Sequence, residues 1–437
     1  MRGHRPPLRP RRGPGHERAA AVGGQRLLSA AGAGSAVAPR AWGIAAIAFL
    51  GGVGGGVVFP ILPVVGLDLG ISGFMVGLIL SANRITRLGF NPITGSLLDR
   101  FGARWPVAAG LAIEALGTLA FSAALVADSP AVWFLAGRVI WGIGSSLLLV
   151  GTLAAVMAIA PVERRGSLTA RVRTAISLGL PAGLVIGGLV ADGVSANAAF
   201  LAATGLSLVA ALAALRVLPA RVDRRAPPSS RTAGRAERRA EWRALLAMPT
   251  LRIIWGANAL LFFAVSGVLL ATIAVLVGQR ALYLFGFGAE GSAGLFMAVL
   301  MGARASASLA AGRYLDRASS RTRLLLPAML LVAAGLVALG QAGSVATAVA
   351  ALLVIGVGSG GLTIPMLTLL GDVAPRHLHG RALSVYQWSS DLGGAFGPAA
   401  GLELGRLFGY GPAYGAVAAS ILLMAVPLRW LAVRERG

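Results

Sequence analysis

Residues 95–104 read GSLLDRFGAR and residues 312–321 read GRYLDRASSR, so the same Gly-x-x-x-Asp-Arg turn occurs twice in the chain. Aligning the two turns also pairs residues outside them, namely Gly77 with Gly294 and Arg87 with Arg304. Coincident matches of this kind at one fixed spacing are typical of duplicated structural units. The sequence therefore predicts two homologous halves.

The composition predicts that lipid surrounds most of the chain. Of its 437 residues, 56% are hydrophobic and only 13% are charged, and the mean hydropathy is +0.78. So little polar surface cannot cover a water-soluble globule of this size. The sequence thus favours an all-α membrane protein.

Apolar stretches long enough to cross a bilayer, about 20 residues each, recur twelve times along the chain. They divide it into an N-terminal six-helix half over residues 41–217 and a C-terminal six-helix half over residues 252–433. We expect a cytoplasmic linker at residues 218–251 and a disordered cytoplasmic tail at residues 1–40, which hold eight arginines and one glutamate. The alternative for the tail is a start codon assigned upstream of the true one.

The distribution of arginine predicts the orientation. The chain has no lysine, and of its 39 basic residues only Arg280 and Arg406 lie on the side opposite the termini, outside the predicted spans. Cytoplasmic loops retain positive charge, so both termini are predicted to be cytoplasmic in a multi-pass protein of the bacterial inner membrane. Because the arginines lie between apolar runs, their number does not indicate nucleic acid as a partner.

Several functional classes are disfavoured by missing residues. Without lysine there is no Walker A loop, and without cysteine there is no disulfide or thiolate metal site. The four histidines lie in the tail or in one predicted cytoplasmic loop, at His4, His16, His377 and His379. An intramembrane hydrolase needs a buried nucleophile and base, so we expect no enzyme activity, no cofactor and no metal.

At these turns the chain resembles the major facilitator superfamily, whose loop between helices 2 and 3 carries a Gly-x-x-x-Asp-Arg-x-Gly-Arg-Arg motif. Residues 135–144, LAGRVIWGIG, resemble the fourth-helix motif of that family, and residues 161–166 resemble the loop that follows it. The resemblance covers residues 41–433. It implies two six-helix bundles related by pseudo-two-fold symmetry around a central cavity, and a monomeric secondary transporter with a small-molecule substrate.

The resemblance also implies a conformational latch on the cytoplasmic side. Asp99 would meet the positive N-terminal end of a helix in the other half, and Gly95 would permit close helix approach. The latch candidates in the two copies are Gly95, Asp99, Arg100, Gly102, Arg104, Asp316 and Arg317. The alternative is a turn whose arginines only follow the positive-inside rule.

Charged residues within the spans are functional candidates, because inserting them costs a few kcal/mol. We expect proton coupling at Arg138, Asp391 and Glu114, and the family arginine matching Arg138 is implicated in that role. The alternatives are a structural pair for Arg138 and an ion pair of Glu114 with Arg84 or Arg87. Recurrence in both halves favours a structural role for Arg87 and its repeat partner.

A second group of polar and aromatic residues is predicted to line the cavity, with packing alone as the alternative. These residues are Asn83, Arg84, Trp141, Tyr386, Gln387 and Trp388. Arg84 has no equivalent in the second half, and an anionic substrate group is one possible reason for it.

The fifth predicted helix carries the glycines of the Gly-x-x-x-Gly-Pro-x-x-Gly-Gly motif found in drug and proton antiporters of the family. The positions expected to allow tight packing or a bend are Gly179, Pro181, Gly183, Gly187 and Gly188. Leu184 stands where the family has proline. The sequence therefore favours proton-driven efflux of a small, mostly apolar or weakly cationic compound. The alternatives are an importer of a small solute such as a sugar or organic anion, a channel, and a non-transporting receptor.

Overall fold

The computed structural model describes residues 15–161, 164–219, 235–315 and 321–434, and within these ranges it contains helices and turns but no strand. The helices of the N-terminal half are α1 (Gly15–Asp68), α2 (Gly73–Phe101), α3 (Arg104–Ala124), α4 (Pro130–Ile159), α5 (Arg165–Gly193) and α6 (Ala196–Val217).

The second half follows a short helix, α7 (Arg235–Ala247), in the predicted linker. Its first span consists of α8 (Pro249–Phe262), a π-helical stretch (Phe263–Leu269) and α9 (Leu270–Gln279). The remaining helices are α10 (Ala289–Leu315), α11 (Leu325–Gly340), α12 (Val345–Val373), α13 (His379–Phe408) and α14 (Tyr410–Arg434). Single 3-10 turns, Arg321–Leu324 and Arg376–Leu378, precede α11 and α13.

Local sequence explains where several helices begin and end. The Ser72 hydroxyl accepts a hydrogen bond from the Met75 amide at 3.3 Å and caps α2, and Ser195 caps α6 in the same way. Such caps satisfy amide groups that have no partner within the helix. Gly102 ends α2 with a φ of +73°, a left-handed conformation that glycine adopts without a steric penalty.

Ten helical stretches among the described residues are long and apolar enough to cross a membrane. The two long helices outside this set are α2 and α13, with 29 and 30 residues. They carry charges along their length and pack against each other, one from each half. The two most polar spans of the predicted twelve therefore lie at the junction of the halves.

The structure describes the predicted tail and linker only in part. Residues 1–14 lie outside the described part, and the chain is helical from Gly15 onward; the disordered cytoplasmic tail over residues 1–40 stays a prediction. The alanine-rich sequence there has high helix propensity. In the linker, residues 220–234 are not described, whereas α7 is helical and Glu241 forms an ion pair with Arg381 of α13.

Glycines of α5 pack directly on α1. A Cβ placed on Gly179 would lie 2.4 Å from the Phe49 carbonyl oxygen, and one on Gly183 would lie 2.0 Å from that of Val53. A Cβ on Gly187 would likewise lie 2.6 Å from the Cα of Val57. Pro181 lies within this helix. Backbone contact at this distance is possible only without side chains.

The second half repeats this arrangement between α13 and the α8–α9 span. A Cβ on Gly393 would lie 1.9 Å from the Ala259 carbonyl oxygen, and one on Gly397 would lie 2.5 Å from the Cα of Gly267. Glycines four residues apart therefore join the corresponding helices in both halves, as expected for duplicated units.

Close contacts between the halves are concentrated at one end of the bundle. We call the end where α2 finishes the arginine-rich end, and the end where α1 connects to α2 the arginine-poor end. Near the arginine-poor end, a Cβ on Gly77 would lie 2.2 Å from the Cα of Ala399, and one on Gly294 would lie 2.5 Å from the Leu184 carbonyl oxygen. At the arginine-rich end, a Cβ on Gly95 would have no heavy atom within 4 Å.

We expect Gly183→Leu to destabilise the protein, because the added side chain would overlap the backbone of α1. Overpacking of this kind costs about 1–3 kcal/mol. The thermal unfolding midpoint and the yield of monodisperse protein in detergent measure the effect. Gly205→Leu on α6 is the matched control, since no heavy atom lies within 4 Å of a Cβ there. Equal midpoints for the two variants would contradict the α1–α5 contact.

Candidate functional site between the two halves

An ion pair joins the two halves in the middle of the bundle. The guanidinium Nη2 of Arg87 on α2 donates to Oδ1 of Asp391 on α13 at 2.5 Å, and both side chains are largely buried. The sequence predicted that Arg87 ties α2 to a neighbouring helix and that Asp391 couples protons. The structure brings these two residues together.

Arg84 forms a second link one turn earlier on α2. Its Nη2 donates to the Ser266 carbonyl oxygen in the π-helical stretch at 3.1 Å. Its Nη1 fills the space beside Gly394, since a Cβ on Gly394 would lie only 1.3 Å from that nitrogen. Ser81 adds a hydrogen bond to the Ala395 carbonyl oxygen. One face of α2 thus contacts the C-terminal half over several turns.

Arg138 is fully buried within the N-terminal half. Its Nη2 donates to the Leu80 carbonyl oxygen at 3.0 Å and to Oδ1 of Asn83 at 2.8 Å. Its guanidinium also lies over the rings of Phe59 and Trp141, at 5.2 and 5.7 Å from their centroids. Cation–π contacts and carbonyl acceptors both stabilise a buried guanidinium. Arg138 therefore ties α4 to α2 close to Arg87, since Asn83 lies one turn before Arg87 on the same side of the helix.

The expected ion pair of Glu114 with Arg84 or Arg87 is not present. Glu114 is fully buried between α3 and α4, and its Cγ would be 2.8 Å from a Cβ on Gly144. Neither carboxyl oxygen has a hydrogen-bond partner among the described residues. An ionised carboxylate would be costly in such a place. The reason for the difference is that both arginines of α2 point toward the other half.

A polar cluster lies on the C-terminal half where α8 meets α13. The Asn258 amide nitrogen donates to the Tyr386 carbonyl oxygen at 2.9 Å and to the hydroxyls of Ser389 and Ser390 at 2.8 and 2.7 Å. The Tyr386 hydroxyl and Asn258 Oδ1 are buried and have no partner among the described residues. Arg304 on α10 lies over the Phe262 ring, 5.2 Å from its centroid.

The other predicted cavity residues lie in different surroundings. Trp141 is 7% exposed and packs on α1, where its Cη2 would be 2.7 Å from a Cβ on Gly55. Gln387 is exposed, one helical turn before Asp391. Trp388 is 58% exposed and shares an exposed apolar face with Leu392 and Phe396, which follow at four-residue spacing. That face points away from Tyr386, so Trp388 is not part of the cluster.

Two of the predicted latch residues, Arg104 and Arg100, form contacts within their own half. Arg104 donates from Nε to the Leu218 carbonyl oxygen at 2.7 Å, which joins the start of α3 to the end of α6. Arg100 lies over the Phe101 ring at 5.1 Å, and Asp99 is exposed. The close approach expected at Gly95 is absent in this conformation. Asp316 and Arg317 lie outside the described residues.

A gate that the sequence analysis missed closes the arginine-poor end. Oδ2 of Asp192 on α5 accepts a hydrogen bond at 2.6 Å from the Gly291 amide in the first turn of α10. A Cβ on Gly288 would lie 2.9 Å from Oδ1 of the same carboxyl group. The Glu290 carboxyl lies near that of Asp192, so two acidic side chains face each other at this end.

One sequence feature could have indicated this gate, namely an acidic residue one helical turn beyond the glycines of the fifth-helix motif. Asp192 comes four residues after Gly188, whose Cβ position would be 2.2 Å from the Glu290 carbonyl oxygen. A carboxylate at a helix N-terminus is stabilised by the helix dipole. This is the interaction expected of Asp99 at the other end. Among the described residues, no cluster of His, Asp or Glu is arranged to hold a metal ion.

The fold and this site define a helical membrane protein whose two halves meet through charged residues on facing spans. The sequence profile of the Major Facilitator Superfamily matches residues 44–398 and 285–437. The chain therefore belongs to the Major Facilitator Superfamily. Membership of this transporter family confirms the expected class, and it agrees with the expectation that the chain is not an enzyme.

Similar sequences include bacterial resistance proteins. The chain is 28% identical over 186 residues to multidrug resistance protein 1 of Bacillus subtilis strain 168, which covers 43% of this chain and 46% of that protein. It is 29% identical over 162 residues to the quinolone resistance protein NorA of Staphylococcus aureus strain Mu50, covering 37% and 40%. The chain thus spans less than half the length of these relatives.

Solved structures of the same fold cover nearly the whole chain. A bacterial homolog of the human lysosomal transporter Spinster, in an inward-facing and unoccupied conformation, has a TM-score of 0.73 at 15% identity. The match covers 92% of this chain and 97% of that one. The nucleoside transporter NupG has a TM-score of 0.75 at 13% identity, with 89% and 99% coverage. The two-bundle fold expected from the sequence is confirmed.

We expect Asp192→Ala to open the arginine-poor end more often, because it removes the carboxylate at the α10 N-terminus. Such an interaction contributes about 1–2 kcal/mol. Since the chain has no cysteine, spin labels at Val194→Cys and Phe285→Cys can report the distance between the halves by pulsed electron spin resonance.

The label distance should lengthen in the variant, relative to the same labels on the otherwise unchanged chain. Asp128→Ala is the control, since this residue is exposed in a loop at the same end. An unchanged distance distribution for Asp192→Ala would show that the carboxylate does not hold the gate.

Proposed function

We propose that this protein is a proton-coupled efflux transporter that works by alternating access. The arginine-rich end lies in the cytoplasm, as the positive-inside rule predicts. With that orientation, the close contacts of Gly77, Gly294 and Asp192 between the halves lie at the outer end in this structure.

The observation that carries this proposal is the ion pair between Arg87 and Asp391. It joins the halves in the middle of the bundle, where a carboxylate can be ionised only if its charge is compensated. A proton on Asp391 removes that charge and weakens the link. The protonation state of a single carboxyl group is thereby coupled to the contact between the halves.

Exchange of substrate for protons follows from competition at this pair. When the outer end closes, Asp391 releases its proton toward the cytoplasm and pairs with Arg87. A substrate that enters from the cytoplasm must then displace one partner of the pair before the outer end can open. After the substrate leaves outside, a proton on Asp391 lets the halves return.

Arg138 takes part as a positioning residue. It holds α2 through Asn83 and the Leu80 carbonyl oxygen, one turn from Arg87 on the same helix. Rotation or displacement of α2 therefore changes both the Arg138 contacts and the Arg87 ion pair. Glu114 lies on α3, away from this junction, and its role in coupling stays a prediction.

The relatives support efflux over uptake, since two of them are named for resistance to drugs or quinolones. The similarity to a nucleoside transporter keeps the direction and the substrate open to experiment. Transport with an imposed pH gradient separates these alternatives.

We expect the purified protein, in proteoliposomes with an acidic lumen, to move drug-like compounds into the lumen in exchange for protons that leave it. The measurement adds neutral, anionic and cationic compounds in turn and follows lumenal pH with trapped pyranine. Asp391→Asn should abolish compound-dependent proton movement, because an amide cannot exchange a proton in this way.

Glu403→Gln is the matched control on the same helix, since this exposed carboxylate pairs only locally with Arg406. Compound movement that ignores the gradient, or that runs in the same direction as protons, would exclude antiport. Wild-type coupling in Asp391→Asn would exclude Asp391 as the coupling group.

A further inference from the structure

The two arginines that the repeat makes equivalent have different surroundings. Arg87 is neutralised by Asp391. Arg304 has no carboxylate within ion-pair distance among the described residues. Its contacts are the Phe262 ring at 5.2 Å and the Thr363 hydroxyl at 3.5 Å. The duplication therefore retained the cation while its counterion is found in only one half.

The hydrogen-bonding capacity of Arg304 is largely unused. A guanidinium carries five N–H donors, and the single hydrogen bond to Thr363 is long. The Thr363 hydroxyl itself donates to the Ser359 carbonyl oxygen at 2.8 Å. Arg304 is partly accessible rather than enclosed, so its free donors can meet a ligand.

A second donor lies beside it. Tyr386 is only 7% exposed, and its hydroxyl has no hydrogen-bond partner among the described residues. Asn258, one turn before Phe262 on α8, donates to the Tyr386 carbonyl oxygen at 2.9 Å, so α8 places Tyr386 in the same region as the contact of Arg304 with Phe262. A buried hydroxyl without a partner is costly. Together the two side chains present donors of one guanidinium and one phenol, which is the donor set that an oxyanion requires.

The other arginines within the spans also favour an anionic ligand. Arg84 and Arg138 also lie within the spans, and their partners among the described residues are carbonyl and amide oxygens and aromatic rings rather than carboxylates. Asp391 is already paired with Arg87. The field between the halves is therefore positive, which attracts anions and repels cations.

We propose that Arg304 and Tyr386 form the binding subsite for the oxyanion group of an organic anion, with Phe262 against its apolar part. This inference rests on the proposed transport function, because it names the substrate class of the same central site. It replaces the expectation of a weakly cationic substrate. A carboxylate, a sulfonate and a phosphate ester share the required chemistry.

The test compares three probes of one shape and different charge, which are 2-naphthoate, 2-naphthamide and 2-naphthylmethylammonium. Binding to the full-length protein in detergent is measured by isothermal titration calorimetry without any pH gradient. We expect naphthoate to bind at least about tenfold more tightly than either of the other two probes. Equal binding of the three, tighter binding of the cation, or no binding of naphthoate would overturn the proposal.

Variants locate the subsite. Arg304→Gln should weaken naphthoate binding by about tenfold or more, and Tyr386→Phe by about threefold to tenfold, with amide binding unchanged in both. Arg313→Gln is the control on the same helix, because that arginine is exposed near the arginine-rich end. An undiminished preference for naphthoate in Arg304→Gln would overturn the assignment to this residue.

A thermal unfolding midpoint close to that of the unchanged protein shows that each variant is folded. Measuring binding in detergent also tests this proposal independently of proton antiport. Binding in detergent does not depend on proton coupling, so a failed gradient experiment leaves the charge preference intact. Loss of the charge preference likewise leaves any pH-driven transport of neutral compounds unaffected.

Discussion

Within a membrane, no water is available to satisfy polar groups, so each one inside the bundle must find a partner in the protein. This constraint explains why α2 and α13, the two most polar spans, face each other across the junction of the halves. Arg87 finds Asp391 there, and Arg84 finds a carbonyl oxygen that the π-helical stretch presents. One turn earlier on α2, Arg138 of α4 uses carbonyl oxygens and Asn83. The interior charges thus determine which helices form the moving interface.

Glycine contacts determine which parts of the bundle stay rigid. In both halves, glycines at four-residue spacing bring a pair of helices into backbone contact, α5 with α1 and α13 with the α8–α9 span. Contacts between the halves combine glycine packing near the arginine-poor end, at Gly77 and Gly294, with polar groups that include the Asp192 carboxylate at the start of α10. Packed backbones change little, whereas ion pairs and helix caps can form and break at small net cost. This contrast suits two rigid halves that separate at one end and meet at the other.

The two Asp-to-helix interactions at opposite ends illustrate how such a protein can have two stable states. Asp192 and the α10 N-terminus stabilise closure of the arginine-poor end, and the family motif around Asp99 would do the same at the arginine-rich end. A ligand or proton shifts the balance only by its different affinity for the two states. Asp391 is well placed for that purpose, since it lies between the halves rather than within one of them.

The sequence by itself determined the duplication, the helical membrane class and the residues able to carry charge in the interior. These features depend on composition and on short-range spacing, which the linear chain contains directly. Only the tertiary structure decided which charges meet. Arg87 and Asp391 are 304 positions apart, and their contact depends on how two separately folded halves dock. The same docking left Glu114 without the arginine partner considered for it, placed Trp388 on the face opposite Tyr386, and gave Arg304 no carboxylate within the described part of the chain, although its repeat equivalent has one.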